Sequence, residues 1–322
     1  MTAEFQHLRV IPGPNNSKFP ACTSLFIDGG DTVAVLDPGA GPEALRAAMG
    51  GRTVDLVVNT HYHFDHISGN HLYPETQVWM NPIEAECFPD LDRVADRLGI
   101  REVYGEEGVA DWIGKVTDPD AAQAPFSPCY RREWWLSTRS PAKAYTYDQE
   151  WRIGRVRAVM VHAPGHTRGF CCPYFPDEGL VYAGDIDLTG FGPWYAGSDG
   201  DIGQFVASAR RVAELDAGWF LTGHQAGMFP RTEFRARLER FLEVIGQRQE
   251  RLIALLEAGV KPGDIPRHGL LYPPKYQVDP WIAMWERIAV RKHLELLRDA
   301  SGLTHARSTT VKGEGAGGCK RD

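Results

Sequence analysis

No stretch of this 322-residue chain approaches the ~20 consecutive apolar residues that a membrane-spanning helix needs, so no such helix is expected. Residues 1–14 lack the basic start and the continuous apolar run of a secretory signal, and the expected location is the cytoplasm. None of the six cysteines forms a C-x-x-C pair, and Cys171 and Cys172 are direct neighbours, a poor geometry for a structural bridge. Reduced thiols are expected rather than a disulfide framework. A basic excess is also missing. The net charge of −7 argues against a protein that holds nucleic acid by bulk electrostatics, while a local basic groove stays open. No internal repeat is seen.

What is present suits a globular protein: apolar and aromatic content is ordinary, and the length exceeds one common domain, which suggests a large domain with an appendage. Ser24–Asp28 and Thr32–Asp37 read as strands joined through Gly29 and Gly30. Pro42 opens a short helix that Gly50 and Gly51 close, and Val54–Thr60 and Gln77–Met80 read as further strands. From Pro82 to Tyr145 the rhythm breaks down. Six prolines, several charged helical patches and the aromatics Trp112, Phe126, Tyr130, Trp134 and Trp135 fall in this irregular insertion. Strand signals resume at Arg155–His162, Leu180–Ala183 and Trp219–Thr222, with one helical face through Ile202, Phe205, Ala209 and Val212. Phe234, Leu238, Phe241, Ile245, Leu252 and Leu256 mark a long amphipathic helix, and a second is centred on Trp281, Trp285 and Ile288. The expected domains are residues 1–231 with the insertion 82–145, a helical appendage over 232–303, and a disordered tail over 304–322.

The densest chemistry lies in His61-Tyr-His63-Phe-Asp65-His66, directly after a strand. In extended backbone residues i and i+2 point the same way, so His61 and His63 can share one metal ion. Asp65 and His66, past the turn, can face a second. Pro-Gly-His166-Thr, Gly184-Asp185 and Gly223-His224 each follow an apolar strand, which delivers further ligand side chains to the same rim. Packing alone does not require that coincidence. His162, on the strand itself, reads as packed or supporting, and Asp37 as a loop-ordering carboxylate.

In this order the fragments H-x-H-x-D-H, P-G-H-T, G-D and G-H resemble the metallo-β-lactamase superfamily, with all seven ligand positions of its binuclear hydrolases present. Leu36-Asp37-Pro-Gly resembles that family's early strand and turn, and Arg291-Lys-His-Leu-Glu-Leu-Leu resembles the winged-helix-like tail of some members, as in its glyoxalase II-like branch. The resemblance implies an α+β fold, an αββα sandwich with a cap-like insertion and a small C-terminal helical domain. It implies that His61, His63 and His166 hold one metal, Asp65, His66 and His224 a second, and that Asp185 bridges them. Zinc suits such donors, with iron or manganese as alternatives. The implied activity is hydrolysis of a small ester-, lactone- or thioester-like substrate by a metal-bridging hydroxide, with Asp65 orienting it. Histidine at 63 and 66 argues against the redox di-iron branch.

Substrate residues are expected after Asp185 and in the insertion: Phe191, Trp194, Tyr195 and Trp135, with 82–145 folding over the rim as a cap. Trp194 stands about where glyoxalase II carries a glutathione-binding lysine, and Leu188 where acyl-homoserine lactonases carry a tyrosine. A single-strand endoribonuclease is the alternative reading, set against the acidic balance. The expected partner is a small molecule rather than nucleic acid or membrane, and the aromatic helices are compatible with a homodimer.

Overall fold

The computed structural model describes residues 4–88, 90–118, 131–135, 142–225 and 227–309; Cys129, Phe126, Tyr130 and the tail from 310 lie outside them. Two six-stranded sheets face each other. The first has the order β1 (Leu8–Ile11), β2 (Ser24–Asp28), β3 (Val33–Leu36), β4 (Leu56–Asn59), β5 (Gln77–Met80), β6 (Lys143–Ala144). The second runs from β12 (Met228–Pro230) through β11 (Trp219–Thr222), β10 (Leu180–Gly184), β9 (Cys171–Phe175) and β8 (Val156–His162) to β7 (Glu150–Ile153). Strands β3 to β6 pair parallel, as do β10 and β11, while the remaining ladders are antiparallel.

The period-two side-chain alternation of strands builds the layers. Leu25, Ile27, Ala34 and Leu36 point inward to meet Leu180, Tyr182 and Leu221 of the second sheet. Their sequence neighbours Phe26, Val33 and Val35 point outward onto Leu45 and Met49 of helix α1 (Pro42–Met49). Val181, Ala183 and Phe220 likewise face α4 (Ile202–Ala213) and α5 (Arg231–Glu257) through Phe205, Val212, Phe234 and Phe241. Each fully buried Val, Leu, Ile or Phe contributes about 1.5–3 kcal/mol, so this interleaving is the main force fixing the register. The architecture is the expected αββα sandwich.

The insertion is more regular than its prolines suggest. It forms α2 (Leu91–Leu98), capped by the Asp90 carboxylate accepting from Asp92 N and Arg93 N, and α3 (Ile100–Thr117), which kinks at Gly105. Gly99 joins them at φ 96°, and a Cβ there would lie 2.2 Å from Ile288 Cδ1, so only glycine lets this corner touch the C-terminal helix. That helix, α6 (Pro280–Thr309), continues into the stretch from 304 that reads as a disordered tail. Among the described residues the C-terminal segment contains helices and turns without a strand. One apolar cluster unites Val94, Leu98, Trp112 and Trp135 of the insertion with Trp281, Trp285 and Ile288 of α6 and with Phe64 of the histidine-rich loop. Insertion and C-terminal helix therefore form one joint wall beside that loop. No helix among the described residues is long and apolar enough to cross a membrane.

Candidate metal centre and its pocket

The histidine-rich loop leaves the end of β4 and enters a helical turn, Phe64–Ile67, which His63 precedes at the N-cap position in extended conformation. Asp37, just past β3, holds it: one carboxylate oxygen accepts from Thr60 N at 2.8 Å, and the other accepts from Thr60 Oγ1 at 2.7 Å and lies 2.8 Å from His66 Nδ1. Gly39 is required beside it, since a Cβ there would sit 1.7 Å from the carbonyl oxygen of Asp65. The carboxylate read from sequence as loop-ordering also orients an imidazole.

All seven expected side chains converge. His166 Nε2 lies 3.2 Å from His61 Nε2, 2.8 Å from His63 Nδ1 and 3.1 Å from Asp185 Oδ2. On the other side His66 Nε2 lies 2.8 Å from Asp185 Oδ1 and 3.4 Å from His224 Nε2, which is 3.3 Å from Asp65 Oδ2. The two oxygens of Asp185 thus face two donor groups. One comprises His61, His63, His166 and Asp185, the other Asp65, His66 and His224.

Whether these groups suit metal ions is a question of donor chemistry. Outer nitrogens of four imidazoles reach acceptors: His61 to Thr60 Oγ1 at 3.0 Å, His66 to Asp37, His166 to Trp194 O at 3.0 Å, and His224 to Ala21 O at 3.0 Å. A proton held there leaves a lone pair on the inner nitrogen, the arrangement metal-bound histidines use. Donor spacings near 3 Å match the edge of about 3.3 Å between ligands bound 2.0–2.1 Å from one tetrahedral ion. Burial pushes His61, His166 and His63, the last to about 3, below the ordinary imidazole value, so these rings are neutral. Burial acts the same way on His66 and His224, but the acidic groups around them, Asp185 with Asp37 at His66 and Asp185 with Asp65 at His224, together outweigh it and lift both, His224 to about 10, so each favours a second proton where a cation would otherwise sit. Burial likewise opposes ionisation of Asp185, and the facing His66, His166 and His224 overcome it and hold its pKa well below the usual carboxylate range. A cluster whose carboxylates draw positive charge to converging imidazoles fits divalent cations.

Above it opens a cavity of about 330 Å³. His63, Asp65, His166, Asp185 and His224 form its floor, and Phe64, Leu98, Trp194, Tyr272, Ile282 and Trp285 its apolar walls. Phe19 and Phe191 stand at the rim, 41% and 39% exposed. Of the four residues expected to meet substrate, Phe191 and Trp194 line the cavity. Tyr195 and Trp135 do not. Tyr195 is fully buried on the far side of its loop, where its hydroxyl meets His293 Nε2 at 2.7 Å. Trp135, 3% exposed, packs behind the wall on Phe64 and Trp112. His162 stacks on Tyr147 at 4.2 Å, outside both donor groups. Tyr272, Ile282 and Trp285 escape a sequence reading because nothing local links the C-terminal segment to the histidine loop.

The model of the metallo-β-lactamase superfamily matches residues 18–86 and 90–224, the span that carries every donor described above. The chain belongs to the metallo-β-lactamase superfamily. Its donors, sandwich and strand-end loops are those of a metal-dependent hydrolase of that superfamily. Among solved structures, a metallo-β-lactamase family protein of Thermus thermophilus shares the fold with a TM-score of 0.65 at 20% identity, over 92% of this chain and 94% of that one. Acyl-coenzyme A thioesterase MBLAC2 of Bos taurus is 27% identical over 162 residues, 50% of each chain. A hydroxyacylglutathione hydrolase of Rhodospirillum rubrum is 24% identical over 229 residues, 70% of each. The chain thus spans about half the length of the thioesterase it matches.

In this superfamily member a carboxylate that the sequence reading missed ties two donor loops together. Glu84, fully buried, accepts from Thr167 Oγ1 at 2.8 Å and Gly169 N at 2.7 Å, beside His166, and from Tyr62 N at 3.2 Å, between His61 and His63. Asn81 Oδ1 caps its helical turn by accepting from Glu84 N at 2.8 Å, while Asn81 Nδ2 donates to Thr60 O at 3.0 Å. The signal available in sequence was Asn81-Pro82, an N-cap followed by a first-turn proline.

Proposed function

We propose that this chain is a binuclear metal-dependent thioesterase for small, uncharged acyl thioesters. One observation carries the reading: the donor cluster forms the floor of a cavity whose walls are aromatic and aliphatic. His61, His63 and His166 would hold one cation, Asp65, His66 and His224 the other, and Asp185 would offer one oxygen to each. Zinc is the metal proposed, since imidazole and carboxylate donors suit it. When bound, such a pair supplies a water of lowered pKa and a Lewis acid for the substrate carbonyl.

This chain's residues do the rest. Asp65 lines the cavity and is held ionised, because burial, which opposes ionisation, is outweighed by its hydrogen bond with His224 and the nearby His66. It can accept a hydrogen bond from the attacking water and align it. Trp194, Trp285, Ile282 and Leu98 exclude solvent from the acyl group, which strengthens every polar interaction at the floor. A thiolate leaving group, with a parent thiol pKa of about 8.5, departs with little protonation, and the site needs no strong acid for it. The acyl-coenzyme A thioesterase and hydroxyacylglutathione hydrolase relatives support thioester over ester or lactone. A polyanionic RNA strand fits poorly: apart from histidines, the cavity lining offers Lys18 as its cation and adds Asp187.

The test is a hydrolysis screen of zinc-loaded protein with matched acyl thioesters, oxygen esters, lactones, phosphodiesters and single-stranded RNA. The highest kcat/KM is expected for an uncharged acyl thioester. Faster cleavage of RNA or of a phosphodiester would overturn the reading.

A further inference from the structure

The loop after Asp185 has two duties at the site. The Trp194 carbonyl accepts from His166 Nδ1 at 3.0 Å, and the Trp194 ring meets the His63 ring edge-on at a centroid distance of 5.1 Å. Its indole nitrogen donates to Tyr272 Oη at 2.8 Å, closing the cavity wall. A shift of this loop therefore moves both a candidate ligand and a pocket wall.

What fixes the loop comes from the C-terminal helices. Arg248 of α5, 5% exposed, donates through Nη1 to Pro193 O at 2.6 Å and to Tyr195 Oη at 3.0 Å, and through Nη2 to Phe191 O at 2.5 Å. Its guanidinium also lies 5.2 Å from the Phe191 ring centre. All three hydrogen bonds end on the five residues Phe191–Tyr195. The planar fork of arginine suits this work, because its donors leave in fixed directions from one rigid group. Tyr195 passes the restraint on: its hydroxyl pairs with His293 Nε2 of α6, and His293 Nδ1 pairs with Gln249 Oε1 at 2.6 Å.

We propose that Arg248 is a positioning residue, which sets the Phe191–Tyr195 segment so that the Trp194 carbonyl orients His166 and the Trp194 ring closes the acyl pocket. The C-terminal helices are then part of the active site. The substrate half of this proposal rests on the thioesterase reading above, and the metal half stands without it.

The experiment compares Arg248→Met and Arg248→Lys with Arg251→Ala. Arg251 lies on the same helix and donates to His268 O at an exposed position away from the pocket. Four quantities are read: zinc affinity by chelator competition, KM and kcat with an octanoyl thioester, and Tm. Arg248→Met is expected to weaken zinc binding about tenfold and to raise KM by a similar factor, in the range found when a partner of a metal-bound histidine is lost. Arg248→Lys recovers part of both, and Arg251→Ala changes neither. A lower Tm with wild-type zinc affinity and KM would make Arg248 a merely structural residue and overturn the proposal. If Arg248→Met does not fold, Tyr195→Phe carries the test. It removes one anchor, worth about 1 kcal/mol or roughly fivefold in zinc affinity, and an unchanged affinity would overturn the proposal. Should the wild type cleave no thioester at all, the thioesterase reading falls while the zinc measurement still decides the role of Arg248.

Discussion

Asp185→Asn is expected to reduce kcat/KM by on the order of a thousandfold or more while leaving the secondary structure intact. A metal pair is worth several kcal/mol of transition-state stabilisation, and each 1.36 kcal/mol is a factor of ten. The two oxygens of Asp185 face opposite donor groups, 3.1 Å from His166 Nε2 and 2.8 Å from His66 Nε2. An asparagine can turn only one oxygen to one group, and its amide hydrogens then point at the lone pairs of the other. It also lacks the negative charge that draws a cation in. Because Asp185 follows the end of β10, its loss should not disturb the sandwich core. Circular dichroism, metal analysis and kinetics on one preparation check this. Wild-type turnover with full metal loading would exclude Asp185 from the centre.

The second large effect separates two tryptophans that the sequence alone places in one category. Trp194→Ala should raise KM for an apolar acyl thioester at least tenfold with little loss of stability, since its half-buried ring faces the cavity while its ligand-orienting group is a main-chain carbonyl. Trp135→Ala should do the reverse. Its ring packs against Phe64 and Trp112, and truncating such a residue costs about 3–5 kcal/mol through lost burial and the cavity left behind. Substrate profiles and denaturant unfolding of both variants read this out. A specificity change from Trp135→Ala at unchanged stability would mean that the insertion meets substrate through this residue.

The contrast shows what a one-dimensional pattern carries. The side chains that converge on the candidate centre were legible because they follow four strand ends: a period of two aligns His61 with His63 after β4, and short glycine turns deliver His166, Asp185 and His224 to the same rim. The alternating runs around Leu25, Val33 and Leu180 likewise declare their layers, since the burial of one face is encoded locally. Long-range assembly has no such local code. The helical patches of the insertion were visible, and Asp90 as a cap and Gly99 as a stop would have bounded α2, yet nothing local says that α2 and α3 pack on Trp281, Trp285 and Ile288 nearly two hundred positions later. Tyr272, Ile282 and Trp285 were invisible as pocket walls for that reason. Tyr195 was misplaced by proximity in sequence to Trp194: the two side chains leave the loop on opposite sides, Trp194 to the cavity and Tyr195 to Arg248 and His293 of the C-terminal helices.

Every step of the proposed chemistry depends on seven side chains forming one centre for two cations. Metal content decides this, measured by mass spectrometry on protein purified without chelators and reconstituted with zinc, alongside the His66→Ala variant. Two ions per chain are predicted for the wild type, and one for His66→Ala, in which the group of Asp65, His66 and His224 is broken while His61, His63 and His166 persist. A wild type that saturates at one ion or none would contradict it.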